Sequence, residues 1–261
     1  MYPHHTQSIQ NLTEYFQSDP DVLAVLLGGS IAHGFESSTS DVDILILVSD
    51  DNHLQRSQKG DIHFYNKELC TYEGGYVDGK YLSLEFVKQV AAKGSEPARF
   101  AFAGSQVLFS KIEGFEEDIC RIAEYPVAEK AERIKRFYAQ FEAWHWYSTE
   151  ALRLGNQYLL GTSISKFILF GGRLILAHNE VLYPYHKWFL RVLEGAKDKP
   201  ADLLNDICNL NKAPIAENIE AFYEKVKTFQ PWTDNPFSWP AQFMLDSELN
   251  WMDGRTPVDD L

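Results

Sequence analysis

Apolar and polar positions alternate with different periods along the chain, and the periods divide it in two. From about His5 to Gln17, Ile9, Leu12, Tyr15 and Phe16 recur at helical spacing, and Asp19 with Pro20 stops the pattern. VLAVLL, Val22 to Leu27, is a short apolar run that predicts a buried strand, followed by the turn residues Gly28, Gly29 and Ser30. VDILILV, Val42 to Val48, predicts a second strand rich in branched aliphatics, closed by Asp50, Asp51 and Asn52. DIHFYNKELCTY and GGYVDGKYL predict further strands of the same sheet. Ser83 is placed to cap a helix over LEFVKQVAAK, Gly94 stands where that helix should end, and SQVLFSK predicts a last strand.

The pattern changes near Ile119. From Val127 to Thr228 strand alternation gives way to long stretches of helical periodicity, punctuated by Gly155, Pro184, Gly195, Pro200 and Pro214. The segment from Gln230 onward carries Trp232, Phe237, Trp239, Phe243 and Trp251 among prolines, irregular but too aromatic to be left in water. The expected fold class is α+β: an N-terminal mixed sheet flanked by helices over 1–118, an all-α helical bundle over 119–229, and an irregular aromatic segment over 230–261 that packs on the body.

Two aspartates interrupt this picture. Asp41 and Asp43 stand i, i+2 at the start of the second apolar strand, where they point to one face and repel each other. Isolated carboxylates are costly to remove from water, so something should compensate. The preceding glycines let backbone approach a ligand, and backbone amides with the Ser30 hydroxyl form an anion site of phosphate size. Two carboxylates on one face form a hard oxygen site suited to magnesium, which is commonly held by one or two carboxylates together with substrate phosphates and water. An anion cradle beside a magnesium site describes a place for a nucleoside triphosphate.

These residues resemble the signature of the nucleotidyltransferases of the DNA polymerase beta superfamily: an apolar strand, Gly29 and Ser30, ten residues, then Asp41, Val42 and Asp43 in a second apolar strand, with Gly34 and Ser40 also in place. The resemblance implies metal-dependent transfer of a nucleoside monophosphate, AMP in the first instance, from ATP or another triphosphate to an acceptor hydroxyl, with two Mg2+ ions as cofactors. It makes Asp41 and Asp43 metal ligands, and Gly29, Ser30 and Ser40 nucleotide contacts. It also implies a third carboxylate on a later strand, as metal ligand or proton acceptor. Asp78 in GGYVDGKYL is the first choice, although Asp-Gly also suits a hairpin turn. Glu85 is the alternative, with a sufficient explanation of its own in the first turn of a helix.

A minimal domain followed by a helical bundle is similar to the aminoglycoside and lincosamide adenylyltransferases, which implies a small hydroxyl-bearing acceptor. The formal charge of -13 suits a cationic acceptor and disfavours nucleic acid or an anionic membrane, while also fitting a plain solvated acidic surface. In the bundle, Arg173, Tyr185 and Lys187 are candidate substrate contacts; the competing reading makes the aromatics core and the charges a solvated face. Arg173 and His178 also match the loose Arg-x4-His pattern of HEPN ribonucleases found in toxin-antitoxin pairs, though apolar Leu174, Ile175 and Leu176 depart from it. A non-catalytic nucleotide-binding protein is a third reading, opposed by the retained aspartate pair. Cys70, Cys120 and Cys208 lack metal-ligand spacing and suggest reduced thiols. With no signal peptide recognisable and no apolar run read as membrane-spanning, the expected location is the cytoplasm.

Overall fold

The structure, a computed structural model, describes residues 1–234, 238–254 and 258. Phe237 lies outside the described residues. The chain forms two compact units, Met1–Glu124 and Tyr125–Leu261, and its class is α+β.

The first unit holds a five-stranded sheet of β1 (Val22–Leu27), β2 (Val42–Val48), β3 (His63–Asn66), β4 (Val77–Ser83) and β5 (Gln106–Ser110), in the order β3-β4-β2-β1-β5. β2 and β4 run parallel; the other neighbouring pairs are antiparallel. The apolar runs of β1 and β2, interrupted in β2 by Asp43, have a direct cause: both faces are covered. Val25, Leu27, Ile44 and Ile46 pack with Leu12 and Phe16 of α1 (Pro3–Gln17) on one face. Ala24, Leu26 and Leu47 pack on the other with Val87 and Val90 of α4 (Leu84–Lys93) and with Phe115, Ile119 and Ile122 of α6 (Phe115–Ile122). The helical periodicity that begins near Ile119 thus starts with a helix of the sheet's own core. The unit reaches Glu124 for this reason.

Between these elements lie α2 (Gly29–Ala32), α3 (Asp50–Lys59) and α5 (Glu96–Phe100). The long strand expected from DIHFYNKELCTY is only the four residues of β3, and the rest of that stretch lies outside helix and strand. Ser83 caps α4, its Oγ accepting from the Phe86 amide at 3.0 Å. Gly94 has an extended backbone rather than the left-handed one of a glycine cap.

The second unit is built on α7 (Lys130–Leu154) and α8 (Gln157–His178), joined by Gly155 in the left-handed region and by Asn156, which caps α8. α9 (Phe189–Glu194), α10 (Leu203–Lys212) and α11 (Ala216–Lys227) complete the core, where Phe137, Phe141, Phe167, Phe170 and Phe222 are fully buried. Glycines at 171 and 172 let α8 meet its neighbours closely: a Cβ on Gly172 would lie 2.3 Å from Phe189 Cζ. By length and composition α8 is apolar enough to cross a membrane, contrary to the sequence reading, but 72% of its most apolar window is buried inside the unit. Its hydropathy is that of a core helix.

In the C-terminal segment Trp232 is buried and donates to the Val226 carbonyl at 2.8 Å. α12 (Trp239–Phe243) packs on α7, and Arg136 Nε of α7 donates to the buried Asp246 at 2.8 Å. Trp251, expected to pack, is 75% exposed.

Candidate active site

The site begins at the end of β1. The Gly28 amide donates to the Asp43 carbonyl at 2.9 Å, which fastens the turn to the start of β2. Gly29 then has φ of +59°, and a Cβ built on it would lie 1.8 Å from Asp43 Oδ2. Only glycine allows the turn to come this close to the carboxylate. Ser30 follows, 5% exposed, its Oγ buried without a hydrogen-bond partner among the described residues. A buried hydroxyl is normally satisfied, so an unpartnered one beside a carboxylate cluster fits a ligand that supplies the partner. α2 is a single turn, and the anion site expected here rests on this hydroxyl and the turn backbone rather than on a helix dipole.

Strand register assembles the carboxylates. β2 and β4 pair with Asp43 opposite Asp78, so the two side chains leave the same face side by side. Asp41, two residues before Asp43, completes the group: the three half-buried residues each offer a carboxylate oxygen, and these oxygens lie within 4.8 Å of one another. Such a set of hard, mutually repelling oxygens is the donor chemistry of a divalent cation such as Mg2+. Asp78 with Gly79 is continuous strand, not a hairpin turn. Glu85 is carried away to the first turn of α4, beyond the far end of β4, where its Oε1 accepts from Gln89. The structure therefore brings Asp78, and not Glu85, beside the aspartate pair.

Ser40 turns its hydroxyl into its own loop, accepting from the Ser37 amide at 2.9 Å. Its carbonyl accepts from Tyr72 Oη at 2.5 Å and from His5 Nε2 at 3.1 Å, so two side chains hold the backbone just before Asp41. Burial pushes the Tyr72 phenol well above its ordinary range.

Several neighbours carry no motif. Tyr76 donates to Asp41, and that hydrogen bond with the carboxylate charge raises the phenol's pKa. His63 Nε2 lies 2.9 Å from Asp78 Oδ1. Tyr65, paired with Asp78 in the β3–β4 register, has its ring 5.2 Å from that of Tyr76. On the turn side, His33 stacks on Phe100 at 4.4 Å and on Phe35 at 5.6 Å; burial lowers its pKa. The alternation of HFY does put His63 and Tyr65 on one face of a strand, but the register that brings that face to Asp78 is a long-range property.

The candidates of the helical unit occupy different environments. Arg173 is 0% exposed, its guanidinium 4.2 Å from the Phe137 ring centre and 4.4 Å from that of Tyr183, inside the core. Tyr185 is about half exposed at a φ of +69°, a strained value for a tyrosine. Lys187 is exposed, Nζ 5.1 Å from the Trp188 ring. His178 Nε2 pairs with Asp198 Oδ2 at 2.6 Å, so Arg173 and His178 do not form one solvent-facing pair.

A mixed sheet that sets a glycine-serine turn against a three-carboxylate cluster is the arrangement expected of a nucleotidyltransferase domain. The comparison with protein families agrees: residues 10–95 match the family described as Polymerase beta, Nucleotidyltransferase, a span that includes the turn and all three aspartates. Among solved structures, the chain is similar to a nucleotidyltransferase-like protein from Exiguobacterium sibiricum, with 9% identity and a TM-score of 0.48 over 96% of this chain and 80% of that one. No curated protein sequence matches the chain. The family match supports nucleotidyl transfer in general as the activity of the domain.

Proposed function

We propose that the protein transfers a nucleoside monophosphate, AMP in the first instance, from a nucleoside triphosphate to a hydroxyl of a small acceptor. The observation that carries this reading is the row across three strands: Asp78 on β4 in register with Asp43 on β2, and Gly29 and the unpartnered Ser30 hydroxyl at the end of β1. The row has two ends. The turn end suits the β- and γ-phosphates, with Ser30 donating to a phosphate oxygen. The Asp78 end is left for the acceptor.

Asp41, Asp43 and Asp78 would hold the divalent ions, Mg2+ by the chemistry of the donors. Bound there, such ions neutralise phosphate charge and stabilise the attacking and leaving oxygens of an in-line displacement. The acceptor oxygen forms a bond to the α-phosphorus as the bond between that phosphorus and the bridging oxygen breaks, and pyrophosphate departs with the bonding pair. The acceptor's proton passes to the Asp78 carboxylate or to water. The protein's contribution is positioning and a fixed electrostatic frame.

For the acceptor, the charge of -13 supports a polycationic hydroxyl compound, aminoglycoside-like in chemistry, ahead of a nucleic acid. The test is pyrophosphate release from labelled triphosphates with a panel of hydroxylated acceptors, polycationic and neutral. Release that depends on both triphosphate and acceptor, and that is lost in the Asp41→Ala, Asp43→Ala variant, supports the reading. No release with any acceptor, or full activity in that variant, removes it.

A further inference from the structure

At the outer end of the carboxylate row, His63 stands on an edge strand of four residues. The alternation along β3 sends Phe64 into the core and leaves His63 and Tyr65 on the opposite face. Tyr65 is opposite Asp78, so that face is the one from which Asp78 and Asp43 project. His63 reaches Asp78 from there, Nε2 to Oδ1 at 2.9 Å. An ionised carboxylate only accepts, so Nε2 carries the hydrogen in this contact.

The contact does little for the fold. The two side chains are 59% and 38% exposed, and a pair in that setting contributes little to stability. It does fix a direction. With Oδ1 tied to His63, the Asp78 carboxylate cannot rotate freely, and Oδ2 keeps one orientation. Asp41 is tied in a similar way by Tyr76. Without such ties, close like charges would swing apart toward water. Hydrogen bonds from outer residues are a common means of orienting carboxylates that bind metal.

We propose that His63 is a positioning residue: it holds the third carboxylate, Asp78, in the orientation that a divalent cation requires. This inference rests on the nucleotidyl-transfer reading and adds to it a residue that no motif marks. It acts through the Nε2–H donor, so a side chain that donates from a similar place should replace it.

The test is isothermal titration of Mn2+ into the full-length protein saturated with a triphosphate analogue whose α,β-bridge is a methylene, comparing wild type, His63→Ala and His63→Gln. His63→Ala is expected to weaken Mn2+ binding about tenfold. His63→Gln, which keeps an amide donor, should stay within about threefold of wild type. The metal-free melting temperature should move by less than about 2 °C in both, because the pair is exposed. Wild-type affinity in His63→Ala overturns the inference, as does a His63→Gln variant no better than His63→Ala. A wild-type protein that binds neither the analogue nor Mn2+ overturns the nucleotidyl-transfer reading, and this inference falls with it.

Discussion

Gly29 and Ser30 are adjacent and differ in kind: Gly29 lets the turn approach Asp43 by lacking a side chain, and Ser30 holds a buried hydroxyl with no partner among the described residues. Gly29→Ala would put a methyl group 1.8 Å from Asp43 Oδ2 at a φ of +59°. Turn and carboxylate must then separate, and we expect transferase activity to drop about a hundredfold or more, the scale seen when a preorganised contact is lost. Steady-state assays read this, and wild-type activity in Gly29→Ala would show that the close approach is dispensable. Ser30→Ala should divide stability from function. It removes a buried hydroxyl with no partner among the described residues, so melting should show unchanged or slightly higher stability. Triphosphate binding should weaken about fivefold to tenfold by equilibrium titration, the loss of one hydrogen bond to a charged group. A destabilised Ser30→Ala with normal binding would mean that the hydroxyl serves the fold.

At the scale of elements, two packing arrangements make predictions of different kinds. α8 meets its neighbours through glycines, and Gly172→Ala would bring a Cβ to 2.3 Å from the ring of Phe189. The better helix propensity of alanine, about 1 kcal/mol, works against an overpacking cost of about 1–3 kcal/mol. We expect net destabilisation, read as a lower denaturation midpoint in urea; a raised midpoint would mean that Phe189 moves aside without cost. The second arrangement is the stack of His33, just after α2, on Phe35 and on Phe100 of α5. Burial lowers the folded-state pKa of His33 from its ordinary 6.5, so the unfolded chain takes up the proton first as pH falls. Its contribution is complete above about pH 6.5 and declines as pH drops through that value toward the folded pKa. Melting between pH 7.5 and 5.5 should show the loss, and His33→Gln should flatten the curve; an unaltered slope in His33→Gln would assign it to other groups, such as buried His5, which burial also lowers.

At the scale of the whole molecule, net charge bears on the acceptor. With -13 overall, a polycationic acceptor is drawn by the field of the protein, and its KM should rise severalfold between about 50 and 300 mM salt as the field is screened. The KM of a neutral acceptor of similar size should barely move, so the salt series separates the two chemistries once a turnover assay exists. The division between sequence and tertiary structure falls along the range of each interaction. Local signals were readable: the Gly29-Ser30 turn, the apolar runs of β1 and β2, the Ser83 cap and the spacing of Asp41 and Asp43 depend on residues close in the chain. The helical half was readable as well, because its periodicity is continuous. Three matters were not. The choice between Asp78 and Glu85 turned on strand register, since one strand puts Asp78 opposite Asp43 and carries Glu85 past its far end. His63 and Tyr76 reach the carboxylates across strands, a contact that no spacing encodes. Arg173, a plausible ligand contact by residue type, is enclosed between aromatic rings that lie 36 residues before it and 10 after it in sequence. The sequence by itself determined most of the elements and singled out Asp41 and Asp43 as a pair, because those follow from neighbours along the chain. Only the tertiary structure placed Asp78, with His63 beside it, next to that pair, because sheet register alone brings them to one place.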